Sequence, residues 1–101
     1  MTITTDPENN ETHALLEMVN FDAQHVLEIG CGDGRLTWRY ADRAGRVTAI
    51  DPSSTQIAQA REDQPIRLRD RVEFQPVAFG DFAAASPPSA FDIVILSWSL
   101  C

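Results

Sequence analysis

Three glycines alternating within the five residues Gly30-Cys31-Gly32-Asp33-Gly34 constrain this chain more than any other feature. Alternating glycines permit a tight backbone turn and a close approach that a Cβ would block. The five residues before them, His25 to Ile29 (HVLEI), form a short apolar run of the kind a buried parallel strand shows. Beyond them Leu36, Tyr40, Ala41 and Ala44 recur at helical spacing until Gly45 ends the pattern. Strand, glycine loop and helix thus follow in order, the context in which such a loop lets backbone approach a ligand.

The same alternation continues along the chain. Arg46 to Asp51 (RVTAID) reads as a second strand, which Pro52 stops. Ser53 followed by Gln56 is a capping-box pattern, and the helix it opens should end before Pro65. Arg67, Arg69 and Arg71 lie in a connection. Val72 to Ala78 (VEFQPVA) is a third strand, and Pro76 places it at a sheet edge. Residues 79–90 read as loop with room for one helical turn, given the Pro87-Pro88 pair. Phe91 to Leu96 (FDIVIL) is the most apolar strand. At the other end, residues 1–9 are polar and read as a flexible start, and Asn10 could cap a short helix with Ala14, Leu15, Met18 and Val19 on one face. Strands alternating with helices imply right-handed crossovers, hence an α/β domain with a parallel sheet between two helical layers.

Charge narrows the partners. Fifteen acidic residues against eight basic ones give a net charge of −7, which argues against a nucleic-acid phosphate backbone as partner. Every basic residue is arginine, so chemistries that need a lysine amine, the P-loop and the Schiff base, are excluded. Cys31 and Cys101 lack metal-site or disulfide-framework spacing, so no metal is expected and the compartment reads as reducing. Neither a secretory signal nor an apolar run near the roughly 20 residues of a membrane span is visible, so the expected location is cytoplasmic.

Two ligand classes use a glycine loop followed, about 20 residues on, by a strand-ending carboxylate that accepts hydrogen bonds from ribose, here Asp51. The dinucleotide fingerprint G-x-G-x-x-G wants a third glycine at position 35, which is Arg35. The run VLEIGCGDGRLT instead resembles the first motif of class I S-adenosylmethionine-dependent methyltransferases, Rossmann-like enzymes. Order and spacing of the family's motifs match from about Ala23 to Leu100. By that resemblance Gly30, Cys31 and Gly32 pass near the cofactor, and Glu28 organises the loop and the methionine end. Asp51, followed by Pro52, holds the ribose; Asp81 meets the adenine amino group with Phe82 beside the ring; Ser97 and Trp98 line the methyl-transfer side. The reaction implied is methyl transfer to an unidentified acceptor. No catalytic base is assigned, since a sulfonium is a good leaving group and in-line positioning supplies much of the rate.

The family's sheet resembles the order 3-2-1-4-5-7-6, so the resemblance implies four strands in order 3-2-1-4 and a domain truncated after the fourth. Residues 10–101 would then be an incomplete cofactor-binding domain that is inactive alone. The apolar FDIVIL strand would be an exposed edge, a place for a protein partner. A sheet-completing, non-catalytic subunit and a nicotinamide or flavin oxidoreductase fragment are the alternatives. The remaining features read as structural: His13 as a surface residue, His25 as the start of a strand, Trp38 as packing, and Arg35, Arg39 and Arg43 as a solvated helix face like the Arg67 to Arg71 cluster. Cys31 reads as a small apolar filler rather than a nucleophile.

Overall fold

The computed structural model describes residues 2–4, 20–85 and 90–97. Their strands are β1 (Thr2–Thr4), β2 (His25–Ile29), β3 (Arg46–Ile50), β4 (Val72–Gln75) and β5 (Ile93–Leu96), joined in one sheet of order β1-β5-β2-β3-β4. Every pairing is parallel. The four strands expected from the sequence therefore stand in the order 3-2-1-4, with Pro76 just beyond β4 at one edge.

The other edge differs from expectation. Thr2–Thr4, within the stretch read as a flexible start, pairs in register with Val94, Ile95 and Leu96. The FDIVIL strand is consequently not the sheet edge. Its outward N–H and C=O groups are strong hydrogen-bonding groups, and a short β-branched segment within reach satisfies them.

Alternation along the strands sorts two apolar layers. On one face Val26, Val47, Ala49, Val72, Phe74, Ile93 and Ile95 pack with Phe21, Leu36, Tyr40, Ile57, Ala60 and Leu68. On the other, Leu27 and Ile50 meet Phe82, with Ile29, Val77, Phe91 and Val94 partly buried against them. The first face carries α1 (Thr37–Tyr40) and α2 (Ser54–Asp63), since Tyr40, Ile57 and Ala60 are buried there. The second carries α3 (Phe79–Ala85) through Phe82. A seven-residue helix thus replaces the loop expected after β4, where the alanines Ala83 to Ala85 are strong helix formers.

The periodicity after the glycine loop predicts its buried face correctly but not its geometry. Leu36, Tyr40, Ala41 and Ala44 are all buried. Regular helix covers only Thr37–Tyr40, and around it the N–H groups of Arg39, Arg43 and Ala44 reach back three residues, to Leu36, Tyr40 and Ala41. These tighter turns keep the apolar side inward while shortening the helix. Ser53 caps α2 as expected, its Oγ accepting from the Gln56 N–H at 3.3 Å. A 3₁₀ turn at Ile66–Leu68 precedes β4.

The arginine connection is more than a solvated face. The Arg67 guanidinium donates from Nε and Nη2 to both oxygens of Asp42 at 2.9 Å, and Arg71 Nη1 donates to the Asp42 carbonyl at 2.6 Å. This clip ties the turn after α1 to the turn before β4. The expected helix over residues 10–19, His13, the Pro87-Pro88 pair, Trp98 and Cys101 lie outside the described residues. No described helix is long and apolar enough to cross a membrane.

Candidate functional site

In open parallel sheets ligands bind beyond the carboxyl ends of the strands. Here Glu28, the glycine loop, Asp51 and Ser97 gather at those ends of β2, β3 and β5. Gly30, Gly32 and Gly34 all have positive φ. At Gly30, with φ +79°, a Cβ would also overlap the Ser97 carbonyl oxygen. The Ser97 N–H donates to the Ile29 carbonyl at 2.8 Å. Gly30 therefore lets the end of β5 close against the end of β2.

Four backbone donors of the loop, those of Gly30, Cys31, Gly32 and Gly34, are spent inside the protein. The N–H groups of Gly30 and Cys31 both donate to the Ile50 carbonyl, at 2.8 and 3.1 Å. The Gly34 N–H goes to the Cys31 carbonyl at 3.1 Å. The Gly32 N–H donates to Asp51 Oδ2 at 3.0 Å. Asp51 itself is 5% exposed, and its Oδ1 accepts the Ser53 N–H at 2.8 Å. The carboxylate thus spans loop and helix start, taking the donor that the Gln56 side chain would take in a full capping box. A carboxylate has about four lone-pair directions, so each Asp51 oxygen keeps acceptor capacity. Pro52, beside it, is exposed.

Glu28 lies deeper, fully buried. Its Oε1 accepts from Tyr40 Oη at 2.6 Å and Thr37 Oγ1 at 2.7 Å, whereas Oε2 has no protein partner among the described residues. Burial pushes the Glu28 carboxyl above its ordinary range, the two hydroxyls pull it back, and the charge of Asp51 adds to the rise. The same environment raises the Tyr40 phenol, chiefly through burial and then the Glu28 charge. Burial, reinforced by Glu28 and Asp51, likewise pushes the Cys31 thiol up, so Cys31 is an inert filler.

Not every expected residue joins this cluster. Phe82 is 6% exposed and packs under the sheet, its ring centroid 5.9 Å from Phe91, so its visible role is core packing. Asp81 stands exposed in the first turn of α3. Conversely, sequence reasoning took Tyr40 only as a core residue and passed over Thr37. Their three-residue spacing on the helix that follows an acidic strand end was the available signal, since such residues share a face. His25 starts β2 with its ring 4.5 Å from Phe91 and Nε2 3.3 Å from Thr48 Oγ1. Among the described residues no group of three or more His, Cys, Asp or Glu could hold a metal ion.

Chemically, this end of the sheet offers acceptors and negative charge. It suits a ligand that brings hydroxyl donors and a cation, and it suits a pyrophosphate less well, because the amides of Gly30, Cys31, Gly32 and Gly34 are occupied. Known proteins resemble this chain over most of its length. The profile of a family described as methyltransferase domain matches residues 26–101. An uncharacterised methyltransferase of Mycobacterium tuberculosis is 36% identical over 102 residues, covering 93% of this chain and 47% of its own. A ubiquinone biosynthesis O-methyltransferase of Pseudomonas fluorescens is 33% identical over 78 residues, covering 77% of this chain and 33% of its own. Among solved structures, a protein of Listeria monocytogenes described as an S-adenosylmethionine-dependent methyltransferase superposes with a TM-score of 0.71 at 29% identity. That match covers 89% of this chain and 41% of the other. The chain thus spans between a third and a half of the length of these relatives. A Rossmann-like sheet, the glycine loop at its carboxyl end and these similarities together place the chain in the methyltransferase domain family.

Proposed function

We propose that this chain is the cofactor-binding part of an S-adenosylmethionine-dependent methyltransferase acting on an acceptor of unidentified class, in the cytoplasm. The observation that carries the cofactor is the acceptor-rich site: Asp51 bridges Gly32 and Ser53 yet retains lone pairs, while the amides of Gly30, Cys31, Gly32 and Gly34 are already paired. Ribose hydroxyls are donors and fit the free capacity of Asp51. S-adenosylmethionine supplies a methyl group on a positively charged sulfur, which makes the methyl electrophilic. The chain's residues bind and orient: Asp51 holds the sugar, Gly30, Cys31 and Gly32 form the floor, and Glu28 lends negative charge near the amino-acid end. Ser97, ending β5 beside Gly30, borders the methyl side. Asp81 is the acceptor for the adenine amino group, and its exposure at the start of α3 leaves it free to swing toward a ring.

Calorimetric titration with S-adenosylhomocysteine and, separately, with NADH tests the proposal. Saturable one-to-one binding of the first and none of the second is expected. Preferential binding of NADH would transfer the chain to the oxidoreductase alternative. Replacing Asp51 by Asn, which turns one acceptor oxygen into a donor, should weaken S-adenosylhomocysteine at least about tenfold, in line with the cost of leaving a buried polar group mispaired.

A further inference from the structure

Two buried acids stand at adjacent strand ends, and they are held differently. Both Asp51 oxygens carry a backbone N–H, whereas Glu28 gathers both of its donors, Thr37 Oγ1 and Tyr40 Oη, on Oε1. Oε2 is left buried with no protein partner among the described residues. A buried carboxylate oxygen without a partner is costly, and one in a native structure calls for an explanation, a group from outside the chain among them. Both donors come from one short helix, and Tyr40 is itself fixed, fully buried and stacked on Phe21 at 5.0 Å between ring centroids. The carboxyl plane of Glu28 is therefore set by a rigid support rather than by a mobile side chain.

We propose that Tyr40 and Thr37 are positioning residues for the cofactor's cationic amino-acid end, acting through Glu28: they pin Oε1 so that Oε2 alone is kept for the ammonium. This rests on the S-adenosylmethionine reading above. The ammonium meets Oε2 across one bridging water, which is energetically close to a direct bond. Neither Tyr40 nor Thr37 touches the ligand, so neither is catalytic.

The test compares two ligands that share adenine and ribose. S-adenosylhomocysteine carries the ammonium, and methylthioadenosine lacks the whole amino-acid end. Tyr40→Phe keeps the stacked ring and removes only the hydroxyl. It should weaken S-adenosylhomocysteine roughly 10- to 150-fold, the worth of one hydrogen bond to a charged group, and leave methylthioadenosine within twofold. Thr37→Val should act in the same direction and Thr37→Ser, which restores the hydroxyl, should recover wild-type binding. Equal losses for both ligands would make the pair merely structural and overturn the proposal, as would no loss for S-adenosylhomocysteine in either hydroxyl-deleted variant. If the wild-type chain binds neither ligand, the cofactor reading itself falls, and this inference with it.

Discussion

Acidic groups occur in two very different settings in this molecule. At the carboxyl ends of β2 and β3, Glu28 and Asp51 are buried and held by neutral donors: hydroxyls for one, backbone amides for the other. Beyond α1, Asp42 is exposed and gripped by the fork of Arg67, with Arg71 on its carbonyl. The chain has eight arginines, yet the groups that act on buried Glu28 are Tyr40, Thr37 and the like charge of Asp51. Arg67 is spent on a surface ion pair, where such pairs contribute little. Burying an acid is costly, and hydrogen bonds or a positive group offset that cost. The contrast separates an arrangement that serves folding from one that, in the function proposed above, serves binding.

Three substitutions sharpen that contrast. The largest effect is expected at the loop: Gly30→Ala forces a side chain onto positive φ and into the Ser97 carbonyl. It should cost roughly 1–3 kcal/mol or more, the range for a strained backbone position, read as a lowered urea midpoint. A midpoint equal to wild type would show that the strand ends do not meet as closely as the geometry has them.

The second concerns pH. Glu28 has its carboxyl raised above the ordinary value of 4.5 by burial, so the folded state holds its proton more tightly than the unfolded chain does. Its contribution to stability is complete below 4.5 and is lost as pH rises through the folded-state value. Urea midpoints measured from pH 4 upward should therefore decline more steeply for wild type than for Glu28→Gln, which has no charge to bury. Parallel slopes would mean that the carboxylate is already compensated.

The smallest effect belongs to the exposed clip. The Arg67 fork holds the Asp42 carboxyl below its usual range, but solvent screens the pair. Asp42→Asn should shift the thermal midpoint least of the three, and high salt should erase what shift there is. A loss as large as that of Gly30→Ala would dissolve the distinction between the two regions.

Much of this architecture was legible in the sequence. Short apolar runs ending at Gly30, Pro52 and Pro76 mark β2, β3 and β4, and the loop with Asp51 marks the candidate site, because each signal is local. What escaped was set by contacts between distant residues. Thr2–Thr4 is a strand because β5 offers it a ladder, and three residues carry too little pattern to announce that. The helix after the loop is cut to Thr37–Tyr40 by tight turns that leave its apolar spacing unchanged. Phe82, expected beside an adenine ring, is claimed by Leu27 and Ile50 on the far face of the sheet. Tyr40 reads from periodicity as an apolar core residue, and only the fold reveals that its hydroxyl ends on Glu28.

The central claim is that an adenosyl ligand lies between the glycine loop and Asp51. The direct measurement is a titration of the isotopically labelled chain with S-adenosylhomocysteine, followed through its backbone amide resonances. The N–H groups of Gly32 and Ser53, which both donate to the Asp51 carboxylate, should show the largest shifts and saturate together. Shifts gathered instead around His25, Arg46 and Asp92, at the opposite ends of the strands, would contradict it.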